Sequence, residues 1–200
     1  MTIYHRALKL IAEGIATILI GPWILYFHGT AVLFPGRRDQ IMRGLSQSLS
    51  LLPGLTGSYL RCAYYRRTLI HCGRGCFIGF GTIFATADVS LGDRVYIGPF
   101  CNIGHVATGN DVLIGSNVTI LSGQGQHGYA RLDVPMNMQP GRYVTVNIGE
   151  DCWLGNGSIV MAEVAPHSIV AAGAVVTGEH PERSIVGGNP ARLIRLRDGA

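Results

Sequence analysis

The sequence predicts an all-β solenoid of stacked triangular coils, preceded by an apolar helical segment. Two observations indicate the solenoid: aliphatic residues recur every six positions over much of the second half of the chain, and 28 of the 200 residues are glycine. This glycine content is about twice the usual ~7% and indicates many tight turns or crowded corners. A third observation, an uncharged run over residues 14–36, predicts the helical segment.

Composition excludes a disordered chain and a disulfide framework. Hydrophobic residues make up 48% of the chain and charged residues 14%, whereas disordered chains are poor in apolar residues and rich in charge. The five cysteines are odd in number and unevenly spaced, so we expect reduced, mostly buried thiols. Cys72 and Cys76 lack a second Cys or His pair that would complete a zinc site, so no metal is expected.

The uncharged run predicts membrane association, because it matches the ~20 apolar residues that span a bilayer. Basic residues border it on both sides: Arg6, Lys9, Arg37, Arg38 and Arg43. Basic flanks prefer the cytoplasmic side, and Gly21-Pro22 interrupts a helix. We therefore expect two short helices that dip into the membrane and return. The alternative is a helical hairpin buried against the rest of the protein or a partner subunit.

The charge distribution also favours a membrane partner. Residues 1–74 hold nine basic and two acidic residues, whereas residues 75–200 hold seven basic and ten acidic ones. Such a basic front end favours an anionic surface. Single-stranded nucleic acid would require aromatic residues interleaved with the basic ones. Here the basic residues flank an apolar run, so no nucleic-acid partner is expected.

The six-residue repeat occupies two blocks. The leading aliphatic positions are Leu91, Ile97, Ile103 and Ile114 in the first block, and Ile148, Leu154, Val160, Val164, Val170 and Val176 in the second. Each unit supplies a short strand and a turn, and its aliphatic residue points inward. Three units close one coil, and coils stack at the ~4.8 Å strand spacing. One residue is missing near 105–108 and two within 160–170, which we expect to alter corners without unravelling coils.

The predicted organisation has four parts. They are a helical segment over 1–45, a linker and capping helix over 46–72, the solenoid over 73–180 with an inserted loop over 122–147, and a tail over 181–200. The capping helix is expected to begin near Thr56. Its predicted apolar stripe consists of Tyr59, Leu60, Ala63 and Tyr64, with Arg61, Arg66 and Arg67 off the stripe.

The sequence resembles the hexapeptide-repeat acyltransferases over about residues 70–197. The segments that carry the resemblance are VYIGPFCNIG (95–104), VLIGSNVTILSGQGQHG (112–128), IGEDCWLGNGSIVM (148–161), AAGAVVT (171–177) and SIVGGNPARLIR (184–195). The resemblance implies a left-handed parallel β-helix and a homotrimer whose active site is shared between subunits. It is closest to the O-acetyltransferases of exopolysaccharide and capsule biosynthesis.

The loop over 122–147 interrupts the repeat, and long loops in compact domains are often functional. In the resembling family a histidine just after the V-x-I-L-S-G strand is the general base, which points to His127. An imidazole titrates near neutrality and suits removal of a proton from an attacking hydroxyl. By the same resemblance, the main-chain amide of Asn156 stabilises the oxyanion and Trp153 lines the coenzyme A channel. The alternatives are a plain loop histidine and a tryptophan that only packs at a coil edge.

The resemblance also implies a groove for coenzyme A beside the final coils. Ala172, Gly173 and Thr177 match the small-residue corner that lets the arm of the coenzyme approach closely. Arg192 and Arg195, after the G-N-P-A turn, are the nearest cations for its phosphates. The alternative for the two arginines is a solvated basic tail.

We therefore expect an acetyl-CoA-dependent O-acetyltransferase acting on a sugar hydroxyl of an exopolysaccharide, a capsule or a lipid-linked glycan precursor. Its expected location is the cytoplasmic face of a bacterial inner membrane. One alternative is a cytoplasmic enzyme for a small soluble acceptor such as serine, a free sugar or an antibiotic. Another is a non-catalytic β-helix scaffold. A metal-dependent hydratase like the γ-class carbonic anhydrases is not expected, because its site needs three histidines including an H-x4-H pair, which the sequence lacks.

Overall fold

The computed structural model describes residues 3–197, with side chains described from Leu10 onward. Arg6 and Lys9, which belong to the predicted basic flank, lie outside the described side chains. Within the described range three helices come first: α1 (Ile3–Leu33), α2 (Arg38–Ser50) and α3 (Gly54–Thr68). A short 3-10 turn at Pro35–Arg37 joins α1 to α2.

The expected pair of short helices hinged at Gly21-Pro22 is wrong, because α1 is one continuous helix with Pro22 inside it. A proline removes one backbone donor, which bends or weakens a helix but does not end it when packing holds both sides. Residues on both sides of Pro22, including Ile20 and Phe27, are buried in the common core. The Phe27 ring meets the ring of Tyr64 on α3, with centroids 6.3 Å apart.

The predicted linker from residue 46 is also wrong at its start, because α2 continues to Ser50. This helix covers the open edge of the first coil. The Ser46 hydroxyl accepts a hydrogen bond from the amide of Phe84 at 2.8 Å, and the Ser50 carbonyl accepts one from the amide of Gly81 at 2.8 Å. The last turns of α2 thus supply partners that a preceding coil would otherwise provide.

The sequence predicted that Arg61 lies off the apolar stripe of α3. This prediction is wrong, because Arg61 is fully buried. Its guanidinium donates three hydrogen bonds to carbonyls: to Ile78 at 3.0 Å, to Leu49 at 3.1 Å and to Leu52 at 2.7 Å. These carbonyls lie at the edge of the first coil and the end of α2, where regular pairing stops. A planar group with several donors satisfies them together.

The rest of the chain forms about six turns of a left-handed parallel β-helix with three faces. The first face contains β1 (His71–Cys72), β4 (Val89–Leu91), β7 (Val106–Thr108) and β10 (Val146–Ile148). The second contains β2 (Phe77–Ile78), β5 (Tyr96–Ile97), β8 (Leu113–Ile114), β11 (Trp153–Leu154), β13 (Ile169–Val170), β15 (Ser184–Gly188) and β16 (Ala191–Leu196). The third contains β3 (Ile83–Phe84), β6 (Asn102–Ile103), β9 (Thr119–Ile120), β12 (Ile159–Val160) and β14 (Val175–Val176).

The leading aliphatic positions of the repeat point inward, as predicted. All ten have at most 5% of their surface exposed. The two short units change corners without breaking the stack, because Val106 still pairs with Val146 and Ile148 still bridges to Val164. The apolar core is therefore a column inside the coils, and the outward residues are left for binding.

The glycines that follow many of the aliphatic positions, such as Gly92 and Gly98, have a packing reason. A Cβ added to Gly98 would lie 2.8 Å from the carbonyl carbon of Gly115 in the next coil. A Cβ added to Gly92 would lie 2.4 Å from the carbonyl oxygen of Gly109. Real Cβ atoms do not approach backbone so closely, so stacked corners require glycine.

Two predictions for the C-terminal half of the chain differ from the structure. The inserted loop covers 121–145 instead of 122–147, because Val146 enters β10 in register with Val106 and is buried. The predicted tail from residue 181 contains regular structure. β15 continues the second face in parallel with β13, and β16 returns antiparallel to β15.

Candidate active site

The loop over 121–145 leaves the solenoid at the corner between the third and first faces and re-enters there. It follows β9 on the third face and leads into β10 on the first. Its two arms lie side by side: the Val144 amide donates to the Ser122 carbonyl at 3.0 Å, and the Arg142 amide donates to the Gly125 carbonyl at 2.6 Å. The loop therefore has a fixed backbone course.

A buried glutamine side chain holds the outer part of this loop. Gln139 accepts a hydrogen bond from the Arg131 amide at 3.1 Å and donates to the carbonyls of Arg131 and Val134 at 2.7 and 2.8 Å. A side-chain amide that bridges backbone groups in this way substitutes for missing strand pairing.

His127 lies on the first arm of the loop and is exposed. Among the described residues its ring has no hydrogen-bond partner. Close by, Gln124 donates to the carbonyl of Thr177 at 2.5 Å. This hydrogen bond joins the base of the loop to the corner that follows β14. It places Thr177 next to the loop that carries His127.

Asn156, Ala172 and Gly173 meet at a different corner, between the second and third faces. The Asn156 carbonyl accepts a hydrogen bond from the Gly173 amide at 2.9 Å, and its side-chain Oδ1 accepts one from the Ser116 amide at 2.9 Å. The Asn156 amide itself has no acceptor within residues 3–197. Ala172 and Gly173 are exposed beside it.

Trp153 lies on the outer side of β11 and is 49% exposed. It is in register with Leu113 on one side and Ile169 on the other. Its indole is therefore part of an outward column on the second face and does not fill the core.

The structure does not bring all predicted site residues together within one chain. His127 and Thr177 belong to the corner between the third and first faces, whereas Asn156, Ala172 and Gly173 belong to the corner between the second and third faces. A strand of the third face separates these two corners. Within one chain, His127 and Asn156 therefore belong to corners at opposite ends of a third-face strand.

Arg192 and Arg195 lie on β16 and are exposed. Each donates only to a carbonyl of its own strand, Arg192 to Ala191 at 3.1 Å and Arg195 to Leu196 at 3.2 Å. Neither has a carboxylate within 4 Å among the residues that the structure describes, so both retain donors for an anion. Arg197 differs, because it pairs with Asp151 at 2.9 Å. Hydrogen bonds from His167 and Arg197 lower the pKa of the Asp151 carboxyl.

Sequence reasoning missed a polar cavity of about 360 Å³ beside the loop. It lies between α2, the third face and the loop, and its polar lining includes Arg43, Asn102, His105, Gln126 and Tyr143. Gln126 directly precedes His127, so the cavity borders the arm that carries the predicted base. The available sequence signal was the shortened repeat unit at 105–108, which brings His105 to the corner.

His105 is held in the cavity wall from two sides. Its Nδ1 lies 2.8 Å from the Ser122 hydroxyl, and its Nε2 lies 4.0 Å from the carboxylate of Asp88. Arg38 donates to the other oxygen of Asp88 at 2.6 Å. Such a partnered histidine is oriented, whereas His127 is free to approach a ligand.

The cysteines are all free thiols within the described chain. Burial raises the pKa of Cys62 to about 11 and of Cys152 to about 11, as expected for small apolar residues. A hydrogen bond from Cys72 lowers the pKa of Cys76 to about 7. No cluster of three or more His, Cys, Asp or Glu residues within the described range has the arrangement of a metal site.

Comparisons with known proteins agree with this architecture. No model of a known protein family matches the sequence. WbbJ of Escherichia coli K12, which is named for O-acetyl transfer in lipopolysaccharide biosynthesis, is 32% identical over 124 residues, covering 58% of this chain and 62% of that protein. The chain thus spans less than two thirds of the length of the curated relatives it matches.

Two solved structures share the fold. A maltose O-acetyltransferase from Clostridium difficile 630 superposes with a TM-score of 0.69 at 18% identity, covering 80% of this chain and 89% of that chain. The hexapeptide-repeat acetyltransferase VCA0836 from Vibrio cholerae, solved with acetyl coenzyme A, superposes with a TM-score of 0.61 at 20% identity, covering 80% of this chain and 89% of that chain. With its six-residue repeat and its left-handed parallel β-helix, this chain shares the fold of these hexapeptide-repeat acetyltransferases and is similar in sequence to O-acetyltransferases.

Proposed function

We propose that this chain is an acetyl-CoA-dependent O-acetyltransferase that acts on a sugar hydroxyl of an exopolysaccharide, a capsule or a lipid-linked glycan precursor. The observation that carries the proposal is the loop over 121–145, which presents His127 beside a polar cavity. The cavity volume of about 360 Å³ falls within the range of ~300–1,000 Å³ for small-molecule sites. The names of WbbJ and of the maltose enzyme support a sugar acceptor.

In this proposal His127 removes the proton from the acceptor hydroxyl while the oxygen attacks the thioester carbonyl. The tetrahedral oxyanion that forms accepts a hydrogen bond from the main-chain amide of Asn156, which has no internal acceptor among the described residues. The carbon–sulfur bond then breaks, and the protonated imidazole returns the proton to the departing sulfur. The products are an acetyl ester and free coenzyme A.

The corner beside Asn156 suits the arm of coenzyme A. A Cβ added to Gly173 would meet no atom within 4 Å, so this corner is open to a ligand. Arg192 and Arg195 on the neighbouring β16 would bind the phosphates. Trp153 would flank the arm on the second face, and Thr177 would contribute from the adjoining corner. The complex of VCA0836 with acetyl coenzyme A supports this choice of donor.

In this proposal the chain forms a homotrimer, and a second copy supplies the His127 corner to the Asn156 corner of the first. The second face presents an outward column of apolar side chains in register: Phe77, Tyr96, Leu113, Trp153, Ile169 and Ile185. An apolar column of this length on a sheet face favours burial against another copy. Packing on this face would bring Asn156 of one copy toward His127 of the next.

The proposed location is the cytoplasmic face of the inner membrane, with the cytoplasm as the alternative. Residues Leu10–Leu33 form a helix long and apolar enough to cross a membrane, and only 17% of its most apolar 18-residue stretch is buried. One side of α1 packs against α3, and Glu13 pairs with Arg66 at 3.2 Å. A helix fixed along a globular domain in this way favours lying in the interface over crossing the bilayer.

Thiol release from acetyl-CoA tests the proposal when full-length protein is given lipid-linked glycans, soluble glycans, serine and chloramphenicol in turn. We expect release with sugar acceptors, fastest with the lipid-linked ones, together with an acetylated sugar found by mass spectrometry. If thiol is released only with serine or chloramphenicol, the acceptor is a small soluble molecule and not a glycan. If the folded protein releases no thiol with any acceptor, the proposal that it is an acetyltransferase is wrong.

A further inference from the structure

A groove of about 440 Å³ runs between α1 and α2. Together with a second hollow beside it, the groove follows one row of side chains four residues apart, from Pro22 through Tyr26 to Thr30 on α1 and on to Phe34 just beyond the helix. Twelve residues of helix cover about 18 Å. The second hollow, of about 260 Å³, is lined by Pro22 and Trp23 and shares Tyr26 and Leu45 with the groove.

The groove and the second hollow expose large apolar side chains to solvent. Trp23 is 43% exposed and Tyr26 is 58% exposed. Large apolar side chains that remain uncovered on a protein surface mark a binding site for an apolar partner. An elongated groove of this kind fits an extended hydrocarbon chain.

Positive charge lies at the end of the groove and across α2 from it. Arg37 lines the groove, and Arg43 lines the polar cavity beside the catalytic loop. Neither arginine has a carboxylate within 4 Å among the described residues. Arg38, between them in sequence, is occupied by Asp88 at 2.6 Å. Two guanidinium groups without a carboxylate partner among the described residues, one in the turn before α2 and one on α2, suit a phosphate or a diphosphate.

The groove and the cavity are separated only by α2. Gln40 and Gly44 line the groove, and Asp39 and Arg43 line the cavity. At 100° per residue these positions lie on adjoining sides of the helix. Gln40, Arg43 and Gly44 are exposed, and a Cβ added to Gly44 would meet no atom within 4 Å. A ligand can therefore cross α2 at Gly44 without displacing protein.

We propose that the groove binds the hydrocarbon chain of a lipid-phosphate-linked acceptor. Its sugar lies in the cavity beside the catalytic loop, and its phosphate lies over Arg37 and Arg43. This inference rests on the proposed function and names the acceptor class: a sugar carried on a lipid through a phosphate or diphosphate. A plain membrane phospholipid would use the apolar face of α1 but would have no use for the polar cavity.

Binding of farnesyl phosphate tests the groove without any catalysis. In calorimetric titrations with full-length protein in mild detergent, Gly44→Phe should fill the groove and Arg37→Ala should remove the cation. We expect each to weaken binding by ~10-fold or more, since a charge-assisted contact or several buried methylene groups are lost. Gly29→Phe and Arg74→Ala are matched controls outside the groove and should bind as the wild type does. Inorganic phosphate should bind far more weakly.

Acetyl transfer separates this inference from the proposed function. Gly44→Phe should lower kcat/KM for a prenyl-phosphate-linked sugar by ~10-fold while changing the rate with the lipid-free sugar by less than about twofold. The groove proposal is wrong if kcat/KM falls equally with both acceptors, or if neither Gly44→Phe nor Arg37→Ala weakens the binding of farnesyl phosphate. Either result leaves the proposed function unchanged. Farnesyl phosphate binding that follows the prediction without any thiol release would overturn the proposed function instead. If Gly44→Phe instead changes the oligomeric state and leaves lipid binding unchanged, a second copy covers the groove and the inference is wrong.

Discussion

His127 and Arg61 differ in how much of the surrounding structure depends on them. The ring of His127 is exposed and unpartnered among the described residues, on an arm fixed by its backbone. The guanidinium of Arg61 is fully buried and donates to three carbonyls, two at the end of α2 and one on the first coil. Replacement of the first should therefore affect chemistry alone, and replacement of the second should affect stability.

His127→Ala should lower turnover by about 10²–10⁴-fold, the usual effect of losing a general base. Thermal unfolding should be unchanged, because no described contact is lost. His71→Ala is the matched control, since His71 is an exposed histidine of the first coil. Thiol release in a well-folded His127→Ala variant at near wild-type rates would remove His127 from the mechanism.

Arg61→Leu should lower the free energy of unfolding by about 3 kcal/mol, because three carbonyls lose the hydrogen bonds from a buried guanidinium. Urea denaturation measures this loss. Arg67→Leu serves as the control, because Arg67 is an exposed arginine on the same helix. If the two variants are equally stable, the buried hydrogen bonds do not hold the helices on the first coil.

Among the elements, the coil corners depend most strictly on residue type. Gly98→Ala should destabilise the fold by about 2 kcal/mol or more, because the added Cβ would clash with the backbone of the next coil. Gly178→Ala is the control, since a Cβ there would meet no atom within 4 Å. Denaturation curves of the two variants should differ clearly; similar curves would mean that the corners can relax.

This contrast explains what could be predicted from the sequence. The inward column from Leu91 to Val176 follows from spacing alone, because the two-residue strands of the repeat each have one buried position. The course of α1 could not be predicted from the sequence, because whether a helix continues through Pro22 depends on its packing against α3. The burial of Arg61 was also missed, since its partners are carbonyls at a coil edge, which a residue pattern does not reveal. The cavity at His105 depends on segments far apart in sequence.

At the scale of the whole molecule, buried thiols make the fold sensitive to alkali. Burial raises the pKa of the Cys62 thiol from its ordinary value of 9.0 to about 11. This thiol therefore contributes stability below pH 9, and the contribution is lost as the pH rises toward 11. Between about pH 8 and about pH 10.5 the loss amounts to about 2 kcal/mol. Urea denaturation should show a smaller alkaline loss for Cys62→Ala than for the wild type; equal losses would contradict the assignment.

The central claim is that the active site joins His127 of one copy to the Asn156 corner of another. Mixing two inactive variants tests it most directly. His127→Ala removes the base, and Ala172→Trp blocks the exposed corner beside Asn156 without touching the core. In refolded equimolar mixtures, a site shared between two copies becomes intact with a chance of about one quarter. We therefore predict that thiol release recovers to about a quarter of the wild-type rate. A mixture that stays as inactive as either variant alone would show that the site lies within one chain and would contradict this account.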